Sequence, residues 1–365
     1  MTSPLIHRVP LVLFAVCAVS LSAWLPAPRA DARQPTQSWT FLASGDARNC
    51  GDLIAPAIAD TARKVNAAFY WHLGDLRATT NFDEDIAHQP ERLRTPLTVS
   101  SYLAAEWPDF IDNQIAAYGT IPYFLGIGNH DVAAPKTRDA FLIQFADWLD
   151  SPVLRAQRLK DDPKDHKVRA YYRWIDRGVS FYFLDNASGD MLDAAQLRWF
   201  ERALATDDAD ASITTIVVGM HKPLPDGYNT HSMNESATSA ESGRRVYADL
   251  LKSRDQSHKR VYVLASHQHV YMPDAYDTPY WREHGGVLPG WVVGTAGAHR
   301  YALPTPSPAG SKTNVYGSLV GTVKPGGEIT FAFHEVTEKD TPAAVTSRYG
   351  PEFVHWCFAD NTDVK

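Results

Sequence analysis

The sequence predicts an α/β fold, a layered sandwich of mixed β-sheets flanked by helices. Apolar runs rich in β-branched and aromatic residues have the length of strands buried on both faces. Helical patterns separate these runs, and two later hairpins add antiparallel strands. Each run stops at a polar residue able to bind a metal, which predicts a metal site at the carboxyl ends of the strands.

The strand predictions follow from where the apolar runs begin and end. The runs cover residues 39–45, 67–74, 122–128, 213–220 and 261–266. The polar residues that come directly after these runs are, in order, Asp46, Asp75, Asn129-His130-Asp131, His221 and His267-Gln268-His269.

The predicted helices lie around these strands and cover residues 54–66, 108–118, 194–205 and 243–253. Residues 133–176 are interpreted as an insertion, with an amphipathic helix over residues 139–149 and a charged loop over 160–167.

Two hairpins are predicted from turn signals between alternating runs. Residues 171–175 and 179–184 flank an Asp-Arg-Gly turn, and residues 316–323 and 328–336 flank Lys-Pro-Gly-Gly. Antiparallel strands are thereby added to parallel ones, so the sheets are expected to be mixed.

The first 32 residues have the features of a signal peptide. Arg8 precedes an apolar stretch over residues 9–25, and Ala30-Asp31-Ala32 matches a cleavage site. A retained membrane anchor is the alternative, because this stretch lies at the lower length limit for spanning. We expect a periplasmic or secreted protein, with a catalytic domain over residues 33–340 and a C-terminal tail over 341–365.

Composition and cysteine content narrow the function classes. The chain is 44% hydrophobic and 21% charged, as in folded globular proteins, and its net charge of -7 argues against nucleic-acid or anionic-lipid binding. Neither nucleic acid nor a membrane surface is therefore the expected partner, and the oligomeric state is left open. Removal of the signal peptide leaves Cys50 and Cys357, which export would pair in a disulfide.

The residues at the strand ends have a mixed ligand chemistry. They supply two carboxylates (Asp46 and Asp75), one amide (Asn129) and three imidazoles (His221, His267 and His269). Such a set suits Fe, Mn or Zn, and it suits neither an all-oxygen calcium site nor a thiolate site.

In the order of these blocks the chain resembles the calcineurin-like metallophosphoesterases, which include purple acid phosphatases. The matching segments are Gly45-Asp46-Ala47-Arg48, Gly74-Asp75, Gly128-Asn129-His130-Asp131, Met220-His221 and Ser266-His267-Gln268-His269. The resemblance covers residues 39–336 and implies a metal-dependent hydrolase whose partner is a small-molecule substrate, a phosphomonoester or phosphodiester. Export of this hydrolase is expected from the signal peptide.

The resemblance also implies a role for each matched residue. Asp75 would bridge two metal ions, with Asp46 and His269 completing the first site. The second site would be completed by Asn129, His221 and His267. His130, oriented by Asp131, would protonate the leaving oxygen, while the metal ions activate water and polarise the phosphoryl group.

Two departures from the family pattern concern the first metal. Arg48 stands where the family usually has a histidine ligand, and the tyrosine that purple acid phosphatases supply after the second block is missing. Asn49 or water could fill the gap, so one or two ions are expected. Arg48 is a candidate catalytic residue. Both Arg48 and Arg77 are candidates to bind phosphate through two hydrogen bonds, and a surface ion pair is the alternative for each.

Other readings of the site remain open. A degenerate binding protein that has lost one metal is favoured by Arg48 but disfavoured by the complete second site. An amide-hydrolysing metalloenzyme would place its His-x-His pair on the first strand, whereas here it comes last. His231, Tyr228 and His299 are further candidates for the pocket, and His72 is interpreted as a packed core residue.

Overall fold

Two β-sheets pack against each other in the computed structural model, which describes residues 37–188 and 192–364. The predicted signal peptide, residues 1–32, lies outside the described residues. The described strands are β1 (Trp39–Ser44), β2 (Tyr70–His72), β3 (Tyr123–Leu125), β4 (Tyr172–Asp176), β5 (Val179–Leu184), β6 (Thr215–Met220), β7 (Arg260–Ala265), β8 (Tyr271–Met272), β9 (Gly290–Val293), β10 (Tyr316–Val323) and β11 (Ile329–Val336).

Helices flank these sheets. The described α-helices are α1 (Gly51–Lys64), α2 (Glu84–Ala87), α3 (Val99–Asp109), α4 (Arg138–Gln144), α5 (Ala146–Leu149), α6 (Pro152–Asp161), α7 (Ala194–Ala209), α8 (Ala237–Asp255), α9 (Pro279–Glu283), α10 (Ala343–Tyr349) and α11 (Pro351–Ala359). None of the helices in the described residues is long and apolar enough to cross a membrane.

Both sheets are mixed, as the sequence predicts. The first has the order β11-β10-β1-β2-β3 and the second β4-β5-β6-β7-β9-β8. Strands β1, β2 and β3 are parallel, and so are β5, β6, β7 and β9, while β10 and β4 pair antiparallel with β1 and β5. The predicted hairpins are confirmed as β4–β5 and β10–β11. Parallel strands bring their carboxyl ends to one edge of each sheet.

The helices predicted over residues 54–66, 194–205 and 243–253 are observed as α1, α7 and α8 with shifted ends, and two further predictions differ more. The helix predicted over residues 108–118 begins earlier, as α3, because the Thr98 hydroxyl accepts a hydrogen bond from the Ser101 amide and caps it. Pro108 therefore lies in the last turn, and a π-helical and a 3-10 segment follow. The helix predicted over residues 139–149 is divided into α4 and α5, and the expected charged loop begins only after α6 ends at Asp161.

Aromatic side chains fill the space between the sheets. From the first sheet, the Phe41 ring centroid lies 5.3 Å from that of Phe181 in the second. Likewise Trp71 lies 5.2 Å from Trp174, edge to face. All four are buried, and each such pair contributes about 0.5–1.5 kcal/mol beyond the burial of its area. This core holds the two sheets together, so that side chains at their strand ends can meet.

The C-terminal residues, expected to be weakly anchored, form α10 and α11 and bind the domain at several points. The Tyr349 hydroxyl donates to Asp52 Oδ2 at 2.7 Å, and the Arg300 guanidinium donates to the Cys357 carbonyl at 3.1 Å. The expected disulfide joins Cys50 to Cys357. The proposed division into residues 33–340 and 341–365 stays a prediction.

Loss of this disulfide is expected to destabilise the fold. The bond closes a loop with a sequence separation of 307, for which the chain-entropy argument gives an upper limit of about 5–6 kcal/mol. Cys357→Ser and Cys50→Ser should each lower the free energy of unfolding by about 2–5 kcal/mol in chemical denaturation, and the double variant should lose no more than either single one. Additive losses, or two free thiols in non-reducing peptide mapping of exported protein, would contradict the bridge.

Candidate metal centre

Three candidate ligands occupy strained backbone positions just beyond strands. Asp46 follows β1, Asp75 follows β2 and His267 follows β7, with φ angles of 62°, 58° and 68°. Residues other than glycine rarely adopt this left-handed region, and such strain persists where the surrounding structure enforces it. At each position the chain turns sharply as the strand ends and directs the side chain into the space between the sheets.

The Asp75 turn is supported by the Gly128-Asn129-His130-Asp131 segment. A Cβ atom on Gly128 would lie 2.2 Å from Asp75 Oδ1, so only glycine fits there. Buried Asp131 accepts hydrogen bonds from the amides of Asp75, Leu76 and Gly128 at 2.8–3.0 Å. The expectation that Asp131 orients His130 is wrong, because both of its oxygens hold the backbone of this turn.

Four ligand atoms converge where the two sheets meet. His221 Nε2 lies 3.0 Å from Asn129 Oδ1, 3.0 Å from His267 Nδ1 and 3.4 Å from Asp75 Oδ1. His221 Nδ1 faces the Leu73 carbonyl at 3.1 Å and therefore carries the proton, which leaves a lone pair on Nε2.

Whether a metal ion fits here depends on the lone pairs that these ligand atoms direct at one another. Asn129 Oδ1 and Asp75 Oδ1 are acceptors, and Asp75 Oδ2 is buried without a hydrogen-bond partner. Acceptors directed at one another are unfavourable unless a cation lies among them. The ligand atoms of Asp75, His221 and His267 all lie within 4.8 Å of one another, so the residues present fit one metal ion.

The protonation behaviour of these groups is consistent with cation binding. Burial lowers the pKa of His267 to about 4, which keeps its ring neutral, as a metal ligand must be. Burial opposes charge on His221 as well, but the Asp75 carboxylate outweighs it and raises the pKa of His221. A field that favours a proton on His221 also favours a metal cation that replaces it.

Asp46 and His269 lie beside this cluster. His269 Nε2 lies 3.1 Å from Asp46 Oδ1, and Asp46 Oδ2 accepts the His267 amide at 2.7 Å. Burial would raise the pKa of Asp46, but the neighbouring His269 outweighs it and lowers that pKa to about 2. Asp46 is thus a carboxylate at any pH near neutrality.

His130 and Arg48 complete the centre. The His130 amide donates to Asp75 Oδ1 at 2.9 Å, and its ring Nδ1 lies 2.6 Å from the Ala78 carbonyl, to which it donates. Arg48 donates to His130 Nε2 and to His269 Nε2, both at 2.8 Å. The carbonyl of Ala78, not the carboxylate of Asp131, therefore orients the His130 ring.

The sequence match is consistent with this geometry. Residues 44–271, more than half of the chain, match the family described as calcineurin-like phosphoesterase. The chain belongs to the calcineurin-like phosphoesterase family. Membership supports phosphoester hydrolysis as its class of activity. No curated protein matches the sequence.

Solved structures with a similar fold include a purple acid phosphatase, PPD1 from seeds of yellow lupin (Lupinus luteus). Its TM-score is 0.55 at 16% identity, over 82% of this chain and 52% of that one, so the chain spans about half the length of the lupin enzyme. GAP50, the anchor in the inner membrane complex of Plasmodium, gives 0.47 at 11% identity over 89% and 96% of the two chains. PhoD gives 0.46 at 15% identity over 84% and 72%.

Arg77 and Asn49 do not contribute to the metal centre. The Arg77 guanidinium is fully buried and binds Asp52, Asp85 and Asp109, so it neither grips phosphate nor forms a surface ion pair. The Asn49 amide donates to Asn361 and does not replace the missing ligand. Neither outcome could be anticipated, because the partners are distant in sequence.

The remaining candidate histidines and Tyr228 have different places in the structure. His72 is buried with a pKa lowered to about 3 by burial, as expected for a core residue. His299 contributes its carbonyl, which accepts from His269 Nδ1 at 2.5 Å, while its ring contacts Asn361 and Asp363. The Tyr228 hydroxyl donates to a backbone carbonyl, and the exposed His231 ring lies 5.8 Å from that of His267.

Glu235 is a site residue that sequence analysis missed. His267 Nε2 lies 3.5 Å from Glu235 Oε1, and Glu235 also pairs with Lys222. The nearby His267 ring, together with Lys222, lowers the pKa of Glu235 to about 2. A carboxylate behind a ligand histidine fixes its ring and raises its basicity.

Removal of the Glu235 charge is expected to weaken metal binding. Glu235→Gln should lower metal affinity by about 10- to 100-fold, the usual effect of losing a carboxylate behind a ligand histidine. Chelator competition measures this change directly, and Glu241→Gln on the exposed face of α8 is the matched control. Equal affinities in the two variants would show that Glu235 does not support His267.

Proposed function

We propose that the protein is a metal-dependent phosphoesterase that hydrolyses a small phosphomonoester or phosphodiester outside the cytoplasm. The observation that carries the proposal is the convergence of acceptor atoms from Asp75, Asn129, His221 and His267 at one point. Family membership supports the reaction class, and the chemistry of the ligands supports Fe, Mn or Zn.

In this proposal Asp75, Asn129, His221 and His267 hold a metal ion. When bound, the ion supplies Lewis-acid polarisation of the phosphoryl group and acidification of water. The protein holds the ligands in place through the strained turns and through the Leu73 carbonyl behind His221. A preformed, buried site of this kind needs little rearrangement when the ion binds.

His130 is proposed as the group that protonates the leaving oxygen. Its ring faces the centre and Nδ1 is fixed by Ala78, so Nε2 is the atom that can exchange a proton with the substrate. In the structure Nε2 accepts a hydrogen bond from Arg48. Proton donation from Nε2 therefore requires this contact to break and Nε2 to take up a proton from solvent, which the ring then passes to the leaving oxygen as it returns to the neutral form. Phosphoryl oxygens are suitable new acceptors for the guanidinium.

Export of the protein is supported by the Cys50–Cys357 disulfide, because such bonds persist in oxidising compartments. The signal peptide predicted over residues 1–32 is the matching sequence feature. Periplasmic or secreted location is therefore part of the proposal.

A phosphate-binding protein without catalysis is the competing candidate, favoured by Arg48 in place of a ligand histidine. The proposed hydrolase differs from it in one measurement. Purified protein should release p-nitrophenol from p-nitrophenyl phosphate or from its bis-ester, lose activity with chelator and regain it with Mn²⁺ or Zn²⁺. Bound metal without turnover of either substrate would support the binding protein instead.

A further inference from the structure

The Arg48 guanidinium lies at the centre, between two imidazole rings. Its Nη1 and Nη2 atoms are each 2.8 Å from a ring nitrogen, Nε2 of His130 and Nε2 of His269. Its Nε is 3.8 Å from Asp75 Oδ2. The guanidinium is thus surrounded by the groups that the family resemblance assigns to the first metal ion and to the catalytic histidine.

The direction of these hydrogen bonds is fixed by the other side of each ring. His269 Nδ1 faces the His299 carbonyl at 2.5 Å, and His130 Nδ1 faces the Ala78 carbonyl at 2.6 Å. A carbonyl only accepts, so each Nδ1 carries the proton and each Nε2 presents a lone pair. Arg48 therefore satisfies the lone pair with which His269 would bind a metal.

The remaining groups do not fit a first metal ion. The first site would add Asp46 and His269 to the shared Asp75, while the side-chain amide of Asn49 donates to Asn361. A guanidinium cannot lose its proton to become a ligand, and its charge opposes a second cation at short range. On the Arg48 side the lone pair of His269 Nε2 also faces Asp46 Oδ1 at 3.1 Å, but there the guanidinium supplies the positive charge that a metal ion would otherwise supply.

Two buried polar atoms at this boundary have no hydrogen-bond partner among the described residues. They are Arg48 Nε and Asp75 Oδ2, which face each other at 3.8 Å. Desolvated groups of this kind are costly unless a ligand engages them. An Nε–H donor left free beside the metal ligands is available to an oxygen of a bound phosphoryl group.

We propose that the protein binds a single metal ion and that the Arg48 guanidinium occupies the place of the first ion of the family's pair. This inference rests on the proposed function and defines its metal site. Arg48 then supplies a fixed positive charge for phosphoryl oxygens, and binding of those oxygens releases His130 Nε2.

Metal stoichiometry tests the inference without reliance on activity. Protein loaded with Mn²⁺ and dialysed should contain one ion per chain by elemental analysis and show the electron paramagnetic resonance spectrum of an isolated ion. Arg48→His should bind two ions and show the spectrum of a coupled pair. Arg155→His, which places the same new ring on the exposed end of α6, is the control and should keep one ion.

Arg48→Ala provides a second, independent arm. It should retain one ion but bind inorganic phosphate more weakly, on the order of 10- to 100-fold, because charge-assisted hydrogen bonds are lost. Two ions in the wild type, one ion in Arg48→His, or unchanged phosphate affinity in Arg48→Ala would each overturn the inference. No bound ion in any variant would instead overturn the proposed function.

Discussion

Asp75→Ala is expected to lose both the metal ion and hydrolysis. Asp75 Oδ1 lies 3.4 Å from His221 Nε2 and accepts the His130 amide at 2.9 Å, so one carboxylate serves the metal site and the segment that carries the proposed acid. Burial opposes a charge on His221, but the Asp75 carboxylate raises the pKa of His221 nonetheless, so this carboxylate favours a cation at the site. Metal content should fall to the level of chelator-treated protein, and turnover to background.

The backbone at Asp75 makes the choice of variant important. With φ at 58°, alanine adds a conformational cost of about 1–2 kcal/mol that is unrelated to the metal. Asn tolerates this region and keeps an acceptor for the His130 amide, so Asp75→Asn isolates the loss of charge. Asp60→Ala in an exposed ion pair is the control for general effects of removing a carboxylate. Metal retention in folded Asp75→Asn would contradict the central role of this charge.

His130→Ala is expected to keep the metal ion while the rate falls by roughly 10²- to 10⁴-fold, the range for loss of a general acid. The ring contacts Ala78 and Arg48, and its Nε2 lies 3.9 Å from Asp75 Oδ2, beyond hydrogen-bond distance. The hydrogen bond to Asp75 Oδ1 comes from the backbone amide of His130, which remains in the variant. The described ligand atoms of Asp75, His221 and His267 should therefore stay in place.

The leaving group provides the decisive control for this role. An alkyl phosphate has a basic leaving oxygen that needs a proton, whereas p-nitrophenolate leaves without one. The loss of rate in His130→Ala should therefore be large for the alkyl ester and small for the aryl ester. His355→Ala, which removes an exposed histidine on α11, should leave both rates unchanged. Loss of metal from His130→Ala, or equal losses for both esters, would exclude the role of acid.

The candidate ligands that the structure brings together are those with a local sequence signal. Each candidate ligand directly follows an apolar run or ends it, and the parallel strands carry these positions to one edge. The hairpins β4–β5 and β10–β11 were also recognisable, because turn residues and flanking strands are adjacent in sequence. The start of α3 was less predictable. Proline usually lies in the first turn of a helix, whereas α3 begins after its capping residue Thr98 and has Pro108 in its last turn.

By itself the sequence determined the α/β layers, the candidate ligands at the strand ends and the pair of cysteines outside the predicted signal peptide. Tertiary structure alone decided where the charged side chains point. Arg48 and Arg77 look equivalent in sequence, yet Arg48 reaches His269 across a separation of 221 residues while Arg77 is buried among three aspartates. Glu235 behind His267 and Asp131 beneath Asp75 are likewise set by folding. Long, flexible charged side chains take the partners that packing brings within reach, and that choice depends on contacts distant along the chain.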